Sequence, residues 1–447
     1  MTAHDTIAAL ATPPGTGGVA IIRISGRDAL AIGTRLSGKT PAPRRATLAA
    51  LHDADGSLID QGLLLYFPAP HSYTGEDTLE IHGHGGIAVS QTVLAAVLNA
   101  GARLAEPGEY SRRAYQNGKI DLAQAEAIAD LINARTAAAV KAATRSLQGA
   151  FSQEVNALAA ELLALRAYIE AALDFPEEEN DYLSEGNLEA RLHHWGERLA
   201  RLLAQSTQGR LMNDGINLVI AGKPNAGKSS LLNALVGEER AIVTAQAGTT
   251  RDIVRETLNI AGIPVNILDT AGLRDAADHI EQEGIRRTKQ ALASADLILL
   301  LVDGSTLADG DDPAVDLPPE TATTPRLLAY NKADRTPANI QANHREGLWL
   351  SAKTGDGIDA LRHAIAAAVG RDEREETPYI ARERHLRALK QAAQHYCDAL
   401  AQLHGARNGE LLAEDLRLAH DALGSITGAT SSDDLLGHIF STFCIGK

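Results

Sequence analysis

Residues 222–229 read Gly-Lys-Pro-Asn-Ala-Gly-Lys-Ser, and they directly follow an apolar run, Ile216–Ala221. The run is typical of a buried strand, and the octapeptide matches the P-loop pattern G-x-x-x-x-G-K-[ST]. The backbone N–H groups of such a loop form a concave anion site, and the helix that follows adds the positive end of its dipole. Lys228 is expected to reach the β- and γ-phosphates of a nucleotide, and the Ser229 hydroxyl to bind Mg²⁺.

Four further motifs follow the P-loop in a fixed order. They are Gly-Thr-Thr at 248–250, Asp-Thr-Ala-Gly at 269–272, Asn-Lys-Ala-Asp at 331–334 and Ser-Ala-Lys at 351–353. Apolar runs at 263–268, 297–302 and 326–330 predict further buried strands, and two of them end directly before a motif. Such an ordered set almost never arises by chance. The sequence therefore predicts that residues from about 215 to 370 bind and hydrolyse GTP.

The last two motifs indicate which base is bound. The carboxylate of Asp334 can accept hydrogen bonds from N1–H and N2–H₂ of guanine, while Ser351 and Ala352 would close over O6. Adenine lacks that donor pair, so it would leave a buried carboxylate unpaired. Taken alone, residues 331–334 are also compatible with an ordinary polar turn, but their position after a P-loop favours a guanine site.

Two positions depart from the common GTPase pattern. Many GTPases place a water-orienting Gln directly after D-x-x-G, and here that position is Leu273, which cannot orient water. The second is Asn225, whose amide oxygen is a hard ligand close to the phosphates. A monovalent cation could sit there and supply the charge that an arginine finger supplies elsewhere. The alternative, that Asn225 only makes a backbone hydrogen bond, stays open.

Composition sets the broad class of protein. The chain has 447 residues, enough for about three domains, and 45% of them are hydrophobic. Its formal net charge is −15, so it is not a general nucleic-acid binder, and any RNA must be held by a local basic patch or by a partner. The cysteines, Cys397 and Cys444, argue against a disulfide framework and fit a reducing cytosol. We see no secretory signal, and the apolar stretches are too short to span a membrane.

The distribution of residue types predicts several domains. Residues 1–118 are expected to form an α+β unit, with strands at 6–10, 19–24, 63–67 and 78–81 and a helix at 89–99. Residues 119–214 and 371–447 are expected to be helical and to pack together, so that the GTPase domain, 215–370, is an insertion in a helical domain. The acidic run at 175–181 is interpreted as a solvated loop rather than a metal site.

Features near the two ends of the chain also suggest chemistry. His82 and His84 alternate as on a strand, but two histidines without a third ligand more often form a packed turn, so we expect no metal there. Cys444 is the fourth residue from the end of the sequence, in Phe-Cys-Ile-Gly-Lys at 443–447, which is a poor prenylation signal. Its thiol is a candidate nucleophile, the alternative being a small apolar residue at a helix end.

The tail at 443–447, Gly-Thr-Thr-Arg-Asp at 248–252 and Asp-Leu-Ala-Gln-Ala-Glu-Ala at 121–127 together resemble the MnmE (TrmE) family of tRNA-modification GTPases, from end to end. The resemblance implies a multidomain α/β fold: an N-terminal α+β domain that binds tetrahydrofolate and dimerises, a discontinuous α-helical domain, and an inserted Ras-like P-loop GTPase domain with a mostly parallel sheet. It implies a cytoplasmic homodimer that uses Mg²⁺, K⁺ and 5-formyl-tetrahydrofolate or a related folate.

The resemblance also implies a reaction and partners. With an MnmG-like partner that carries FAD, in an expected heterotetramer, the family modifies C5 of the wobble uridine, position 34, of certain tRNAs. It adds an aminomethyl or carboxymethylaminomethyl group with a folate-derived one-carbon unit. The competing reading is a regulatory or ribosome-assembly GTPase that modifies nothing. The GTPase motifs do not separate the two readings, but a pure switch has no use for a folate pocket.

Residue roles follow from the same resemblance. The positions that match the folate site are Arg23, Glu80, Lys119 and Lys447. Those that match the K⁺ loop are Asn225, Thr244, Thr249 and, through its backbone carbonyl oxygen, Gln246. The Mg²⁺ ligands would be Ser229 and Thr250. Glu281 would orient the attacking water, a task that Leu273 cannot perform. The full set expected to bind GTP is Asn225, Ala226, Gly227, Lys228, Ser229, Ser230, Thr244, Ala245, Gln246, Ala247, Gly248, Thr249, Thr250, Asp269, Thr270, Ala271, Gly272, Asn331, Lys332, Asp334, Ser351, Ala352 and Lys353.

Overall fold

The computed structural model describes residues 5–174, 187–236, 254–269, 292, 294–307, 324–344, 346–371, 379–405, 408–430 and 433–446. These residues fall into two compact units, each treated separately below. One contains Met1–Ala129 together with Leu423–Lys447, and the other contains Asp130–Ala422. Of the described helices, none has the length and apolar character needed to cross a membrane.

The first unit is built on a six-stranded sheet with the order β3-β4-β5-β2-β1-β6. Its strands are β1 (Ile7–Leu10), β2 (Gly17–Ser25), β3 (Thr47–His52), β4 (Leu58–Phe67), β5 (Thr78–Gly85) and β6 (Arg103–Leu104). All neighbours are antiparallel except β1 and β6. Side chains alternate between the faces, and the apolar set packs against α1 (Ala29–Ser37) and α2 (Ile87–Asn99).

The opposite face of this sheet is covered near β1 by α3 (Glu109–Gln116), whose Tyr110 is buried with Ile7 and Ala9. The helix α13 (Asp433–Ser441) belongs to the same unit. Phe440 and Phe443 of this C-terminal segment pack with Leu122 at the start of α4 (Leu122–Asn133). The two ends of the chain thus contribute to one folded unit.

The second unit begins with helices. They are α5 (Ala137–Leu147), α6 (Ala150–Asp174) and α7 (Asn187–Asp214), joined later in the chain by α11 (Glu383–His404) and α12 (Gly409–Thr427). The segment 121–173, part of the stretch 119–214 that is predicted to be helical, forms three helices, α4, α5 and α6. Its one glycine, Gly149, follows α5 with φ 92°, a left-handed conformation that glycine adopts without strain.

Aromatic side chains pack the later helix against the earlier ones. The Trp195 indole on α7 donates to the carbonyl oxygen of Leu158 at 2.9 Å, and its ring centroid lies 5.4 Å from that of Tyr396 on α11. Gly196 is required beside this contact, since a Cβ there would lie 2.3 Å from the Tyr396 ring. The Phe151 ring on α6 lies 5.0 Å from that of Tyr379. Segments before and after the GTPase sequence therefore pack together.

The rest of the second unit is a six-stranded sheet with the order β12-β11-β10-β7-β9-β8. Its strands are β7 (Ile216–Ala221), β8 (Val254–Ile260), β9 (Ile263–Asp269), β10 (Leu297–Asp303), β11 (Arg326–Asn331) and β12 (Leu348–Trp349). Every pair is parallel except β8 with β9. The inner strands are continuous apolar runs because both faces are buried.

Within the described residues, three helices accompany this sheet: α8 (Lys228–Val236), α9 (Ala338–Asn343) and α10 (Ile358–Ala368). The apolar residues Leu231 of α8 and Leu361 of α10 are buried against the strands. The predicted multidomain α/β fold and mostly parallel sheet are confirmed. The boundaries at 118, 214 and 370 stay predictions.

Candidate functional site

The phosphate-binding loop lies between the end of β7 and the start of α8. Two of its residues have left-handed backbone conformations, Asn225 with φ 65° and Gly227 with φ 93°. At its start, a Cβ on Gly222 would lie 2.3 Å from the carbonyl oxygen of Leu301 on the neighbouring strand β10. The loop is therefore held close to the sheet, and its amides precede the N-terminus of α8, the arrangement that binds phosphate.

Lys228, the first residue of α8, folds its side chain over this loop. Its ammonium group donates to the carbonyl oxygens of Gly222 at 2.8 Å and of Lys223 at 3.0 Å. The charge therefore lies where the phosphates of a nucleotide would be held. Asn225, Ser229 and Ser230 are exposed on the same loop and first turn, so their polar groups are accessible to a ligand or a metal ion.

Asn331, at the end of β11, connects three of the motifs. Asn331 is buried, with only 2% of its surface exposed. The amide nitrogen donates to the carbonyl oxygen of Ala226 in the phosphate loop at 2.9 Å. The amide oxygen accepts from the backbone N–H of Ala352 at 3.0 Å. Gly227 passes so close that a Cβ there would lie 2.2 Å from the Asn331 nitrogen.

Asp334 and Ser351 form the part of the site expected to read the base. The Ser351 hydroxyl donates to the Asp334 carboxylate at 2.8 Å, and the same hydroxyl oxygen accepts from the Thr354 N–H at 3.2 Å. The carboxylate of Asp334, predicted to read the base, is thereby oriented by the Ser-Ala-Lys motif. Lys353, the last residue of that motif, is exposed.

Lys332 adopts a left-handed conformation, φ 64°, and its ammonium group lies 2.5 Å from the carboxylate of Asp303 at the end of β10. Burial opposes ionisation of Asp303, but the hydrogen bonds from Lys332 and Ser305 outweigh it, and the pKa of the carboxyl group is held below its ordinary value. This ion pair therefore links Lys332 of the Asn-Lys-Ala-Asp motif to the neighbouring strand β10.

Several predicted residues lie outside the described part of the chain. Asp269 ends β9 and pairs with Ile220 of β7, and its side chain is not among those described. The predicted residues that lie wholly outside are Thr244, Ala245, Gln246, Ala247, Gly248, Thr249, Thr250, Thr270, Ala271, Gly272, Glu281 and Lys447. Their assignments stay predictions.

The first unit brings two of the predicted folate residues together. Arg23 on β2 and Glu80 on β5 are cross-strand neighbours, and the guanidinium donates to one carboxylate oxygen at 2.9 Å through Nε. The other oxygen lies 3.0 Å from Nε2 of His82. This cluster lies on the sheet face opposite α1 and α2, and its side chains are only partly exposed, at 22%, 14% and 27% in the same order.

Two tyrosines that belong to none of the sequence motifs also contact Arg23. The guanidinium lies 5.7 Å from the ring centroid of Tyr73 and 5.8 Å from that of Tyr110. The Tyr110 hydroxyl donates to the backbone carbonyl of Arg23 at 2.6 Å. Burial raises the pKa of the Tyr110 phenol far above its ordinary value, and it also raises that of Tyr73. Both groups stay neutral donors at physiological pH.

Lys119, also predicted for the folate site, and Cys444, the candidate nucleophile, belong to the same unit. Lys119 is exposed and donates to the carbonyl oxygen of Pro70 at 3.0 Å. Cys444 is also exposed, and its backbone carbonyl accepts from the Gly108 N–H at 3.4 Å. The next glycine, Gly446, lies against β1, where a Cβ would meet the Leu10 carbonyl oxygen at 2.4 Å. The C-terminal tail therefore packs on the sheet of the first unit.

His82 and His84 alternate along β5, as predicted, but the packed-turn interpretation is wrong, since both lie in a regular strand. His82 contacts Glu80, and Nδ1 of His84 lies 2.6 Å from the carboxylate of Asp60 on β4. The strand continues to Gly85, beyond the predicted end, because its backbone stays paired with β2 over these residues. Each histidine ring thus has a carboxylate within hydrogen-bond distance, Glu80 for His82 and Asp60 for His84.

In comparisons with known proteins, two family models together match nearly the whole chain. The model of the MnmE helical domain matches residues 122–444, and that of the GTP-binding protein TrmE N-terminus matches residues 6–119. The chain is 57% identical over 454 residues to a tRNA modification GTPase MnmE from Dichelobacter nodosus, covering 100% of both sequences.

Two solved structures are also similar to parts of the chain. One is a variant of Era from Aquifex aeolicus bound to GDP and AlF₄⁻, with 26% identity and a TM-score of 0.26, covering 40% of this chain and 66% of that one. The other is the G domain of the FeoB iron transporter from T. maritima, with 22% identity and a TM-score of 0.23, covering 34% of this chain and 98% of that one.

Proposed function

The chain belongs to the MnmE family of tRNA modification GTPases, and we propose that it hydrolyses GTP to drive the modification of tRNA. The observation that carries the GTPase assignment is the position of Asn331, hydrogen-bonded at once to the phosphate loop and to the Ser-Ala-Lys motif. One side chain thereby couples the parts of the site that would hold the phosphates and the base.

Each group in this site has a task in nucleotide binding. Lys228 would exchange its loop carbonyl partners for the β- and γ-phosphate oxygens. Asp334, oriented by Ser351, would accept from the guanine edge. We propose that Ser229 and Thr250 hold Mg²⁺, which would neutralise phosphate charge, and that Glu281 orients the attacking water, with Glu283 the next candidate.

K⁺ activation is the second part of the proposal. Asn225 is exposed in the phosphate loop and has a left-handed backbone conformation that Asn tolerates better than most residues. We propose that its amide oxygen, with Thr244, Thr249 and the backbone of Gln246, holds K⁺ beside the phosphates. A cation there would stabilise the charge that develops in the transition state.

The Arg23 cluster supports a folate site in the first unit. Glu80 is fixed by Arg23 and His82, and a fixed carboxylate can accept from the N–H groups of a pterin ring. The carboxylates of the folate glutamate require cations, for which Lys119 and Lys447 are candidates alongside Arg23. We propose that this site binds 5-formyl-tetrahydrofolate or a related folate.

The open face of the same sheet supports a homodimer. Leu48 on β3 is paired with Leu63 on β4, and Leu63 is paired with His82 on β5. Leu48 and Leu63 are 56% and 41% exposed, and Val19 on β2 is 59% exposed. Apolar side chains grouped beside a polar cluster are typical of a protein interface. We propose that two copies of the chain meet here and complete the folate site between them.

The finer reaction is also a proposal. We propose that this cytoplasmic GTPase acts with an MnmG-like partner that carries FAD, in a heterotetramer, to add an aminomethyl or carboxymethylaminomethyl group to C5 of uridine 34 in certain tRNAs. The one-carbon unit would come from the folate. The alternative, a regulatory or ribosome-assembly GTPase without modification chemistry, gives no role to the half-buried Glu80 carboxylate and Arg23 guanidinium of the first unit.

The nucleoside content of tRNA separates these two functions. Cells that lack the gene are expected to lose the C5 group from wobble uridine, and the wild-type gene to restore it. A gene carrying Lys228→Ala, which cannot hold the phosphates, is expected to restore nothing. Unchanged wobble nucleosides in the deletion strain would favour the regulatory alternative and overturn the modification function.

A further inference from the structure

Three side chains from two helices of the second unit lie together outside the nucleotide site. Glu189 and His193 are one helical turn apart on α7, and His404 is the last residue of α11. Nε2 of His404 lies 2.9 Å from a carboxylate oxygen of Glu189, and Nε2 of His193 lies 3.7 Å from the same oxygen. We propose that these residues bind a Zn²⁺ ion.

The spacing of the ligand atoms suits a small cation. One ligand atom from each side chain lies within 4.8 Å of the other two. Tetrahedral Zn²⁺, with bonds of about 2.0–2.2 Å to nitrogen and oxygen, needs ligand atoms roughly 3.4 Å apart. The two distances to Glu189 fall on either side of that value. The two imidazole rings, with centroids 6.4 Å apart, are both exposed and can rotate to adjust their nitrogens to this spacing.

The chemistry of the three ligands selects the ion. Two imidazoles and one carboxylate are a donor set typical of zinc, whereas Mg²⁺ and Ca²⁺ prefer oxygen ligands alone. The side chains of Glu189, His193 and His404 are 56%, 54% and 52% exposed, so the ion can enter directly from solvent. Water would occupy the fourth position.

The bound ion would connect two segments that are distant in sequence. α7 leads into the first strand of the GTPase sheet, and α11 follows that domain in the chain. Without an ion, the two helices are joined here by the hydrogen bond between His404 and Glu189. Because both groups are exposed, this bond contributes little to the stability of the fold. Because the unfolded chain does not hold the three ligands together, Zn²⁺ would stabilise the folded unit by mass action. The site is distinct from the nucleotide site, so basal GTP hydrolysis would not need it.

The test measures Zn²⁺ binding to the full chain after chelator treatment and dialysis. Calorimetric titration with ZnCl₂ should show one more site in the wild type than in His193→Ala or His404→Ala, or at least tenfold tighter binding at that site. His194→Ala is the matched control, since it removes the exposed neighbouring histidine on α7, and it should bind like the wild type. His395→Ala reports separately on the His395, Asp398 and Asp415 group on α11 and α12.

A second measurement keeps the proposal falsifiable if an alanine variant folds poorly. Glu189→Gln conserves the shape of the side chain and removes its charge, and it should lose the extra site while its circular dichroism stays unchanged. Zn²⁺ should raise the melting temperature of the wild type and His194→Ala by a few degrees more than that of the three cluster variants. Equal Zn²⁺ stoichiometry and affinity in the wild type and the cluster variants would overturn the proposal.

Discussion

The side-chain amide of Asn331 donates to the backbone carbonyl of Ala226 at 2.9 Å, although the two residues are 105 positions apart. Asn331 belongs to the motif proposed to read the base, and Ala226 belongs to the loop proposed to hold the phosphates. Because the Asn331 side chain is buried, the hydrogen bond is not exchanged with water. The geometry of the loop therefore depends on an intact residue at the end of β11.

Asn331→Ala should weaken GTP binding by about ten- to a hundredfold. The variant leaves the Ala226 carbonyl and the Ala352 N–H unpaired in a buried place, at a cost of about 1–3 kcal/mol. Nucleotide titration of the purified protein checks this. Asn343→Ala, at the exposed end of α9, is the control and should bind normally. A normal affinity in Asn331→Ala would show that the bridge is not needed.

Replacement of Asn225 should abolish the response to K⁺. Asn225→Gly keeps the left-handed conformation available, while Asn225→Ala removes the same amide at some conformational cost. Wild-type kcat for GTP hydrolysis should be much higher in K⁺ than in Na⁺ at equal ionic strength, and both variants should show the same low rate in each salt. Equal wild-type rates in K⁺ and Na⁺, or a K⁺ response retained by Asn225→Gly, would contradict the proposed site.

Arg23→Ala should lose binding of 5-formyl-tetrahydrofolate and tRNA modification while GTP hydrolysis continues. The change removes the cation that fixes Glu80. Arg27→Ala is a matched control, because Arg27 is exposed on the same unit and pairs only with its neighbour Asp28 among the contacts seen. Fluorescence titration with the folate measures binding, and a melting curve shows whether the variant is still folded. Intact folate binding in Arg23→Ala, or binding lost together with the fold, would refute a direct role.

Glu109 should contribute to the stability of the first unit in a pH-dependent way. Its carboxylate is buried and accepts from Arg103 at 2.6 Å and from Arg113 at 2.9 Å. Burial alone would raise its pKa, but the hydrogen bonds from Arg103 and Arg113 hold the pKa below its ordinary value. The stabilisation is therefore fully present above the unfolded pKa, about 4.3, and is lost as the pH falls through the lower folded value.

Glu109→Gln should accordingly destabilise the protein by ~3 kcal/mol near neutral pH, in the range for breaking a buried ion pair. Melting curves from pH 7 to pH 3 should show the difference from the wild type shrinking below about pH 4. Glu106→Gln removes a more exposed partner of Arg112 and should change little. If the difference in melting temperature between Glu109→Gln and the wild type stays constant across this range, the ionised carboxylate does not contribute to stability.

The sequence predicted the parts of the fold that local patterns determine. The strand Ile216–Ala221 has the predicted bounds, and β10 and β11 extend only one residue beyond theirs. Each is a largely apolar run, β7 and β11 end at a motif, and burial on both faces leaves little freedom for such a run. The ordered motifs also predict that Asn331, Asp334 and Ser351 share one site, and hydrogen bonds join these motifs in the structure.

Long-range contacts were not predictable in the same way. Tyr73 and Tyr110 are single aromatic residues in loop-like or helical sequence, and only the folded sheet brings them beside Arg23. The short strand Arg103–Leu104 depends on pairing with β1 from the start of the chain. Asp60 becomes the partner of His84 through the register of β4 against β5. No local pattern encodes which distant residue completes such a pair.

The link between GTP and tRNA modification can be tested most directly with Asp334→Asn. Xanthine presents an acceptor where guanine presents a donor, so the amide should change the preference from GTP to XTP. Modified nucleoside is measured in a reaction containing the protein, its FAD-containing partner, folate, tRNA and one nucleotide. The wild type should form the product with GTP, and Asp334→Asn should form it with XTP but not with GTP. Equal product formation by the variant with GTP, or by the wild type without nucleotide, would contradict the proposed function.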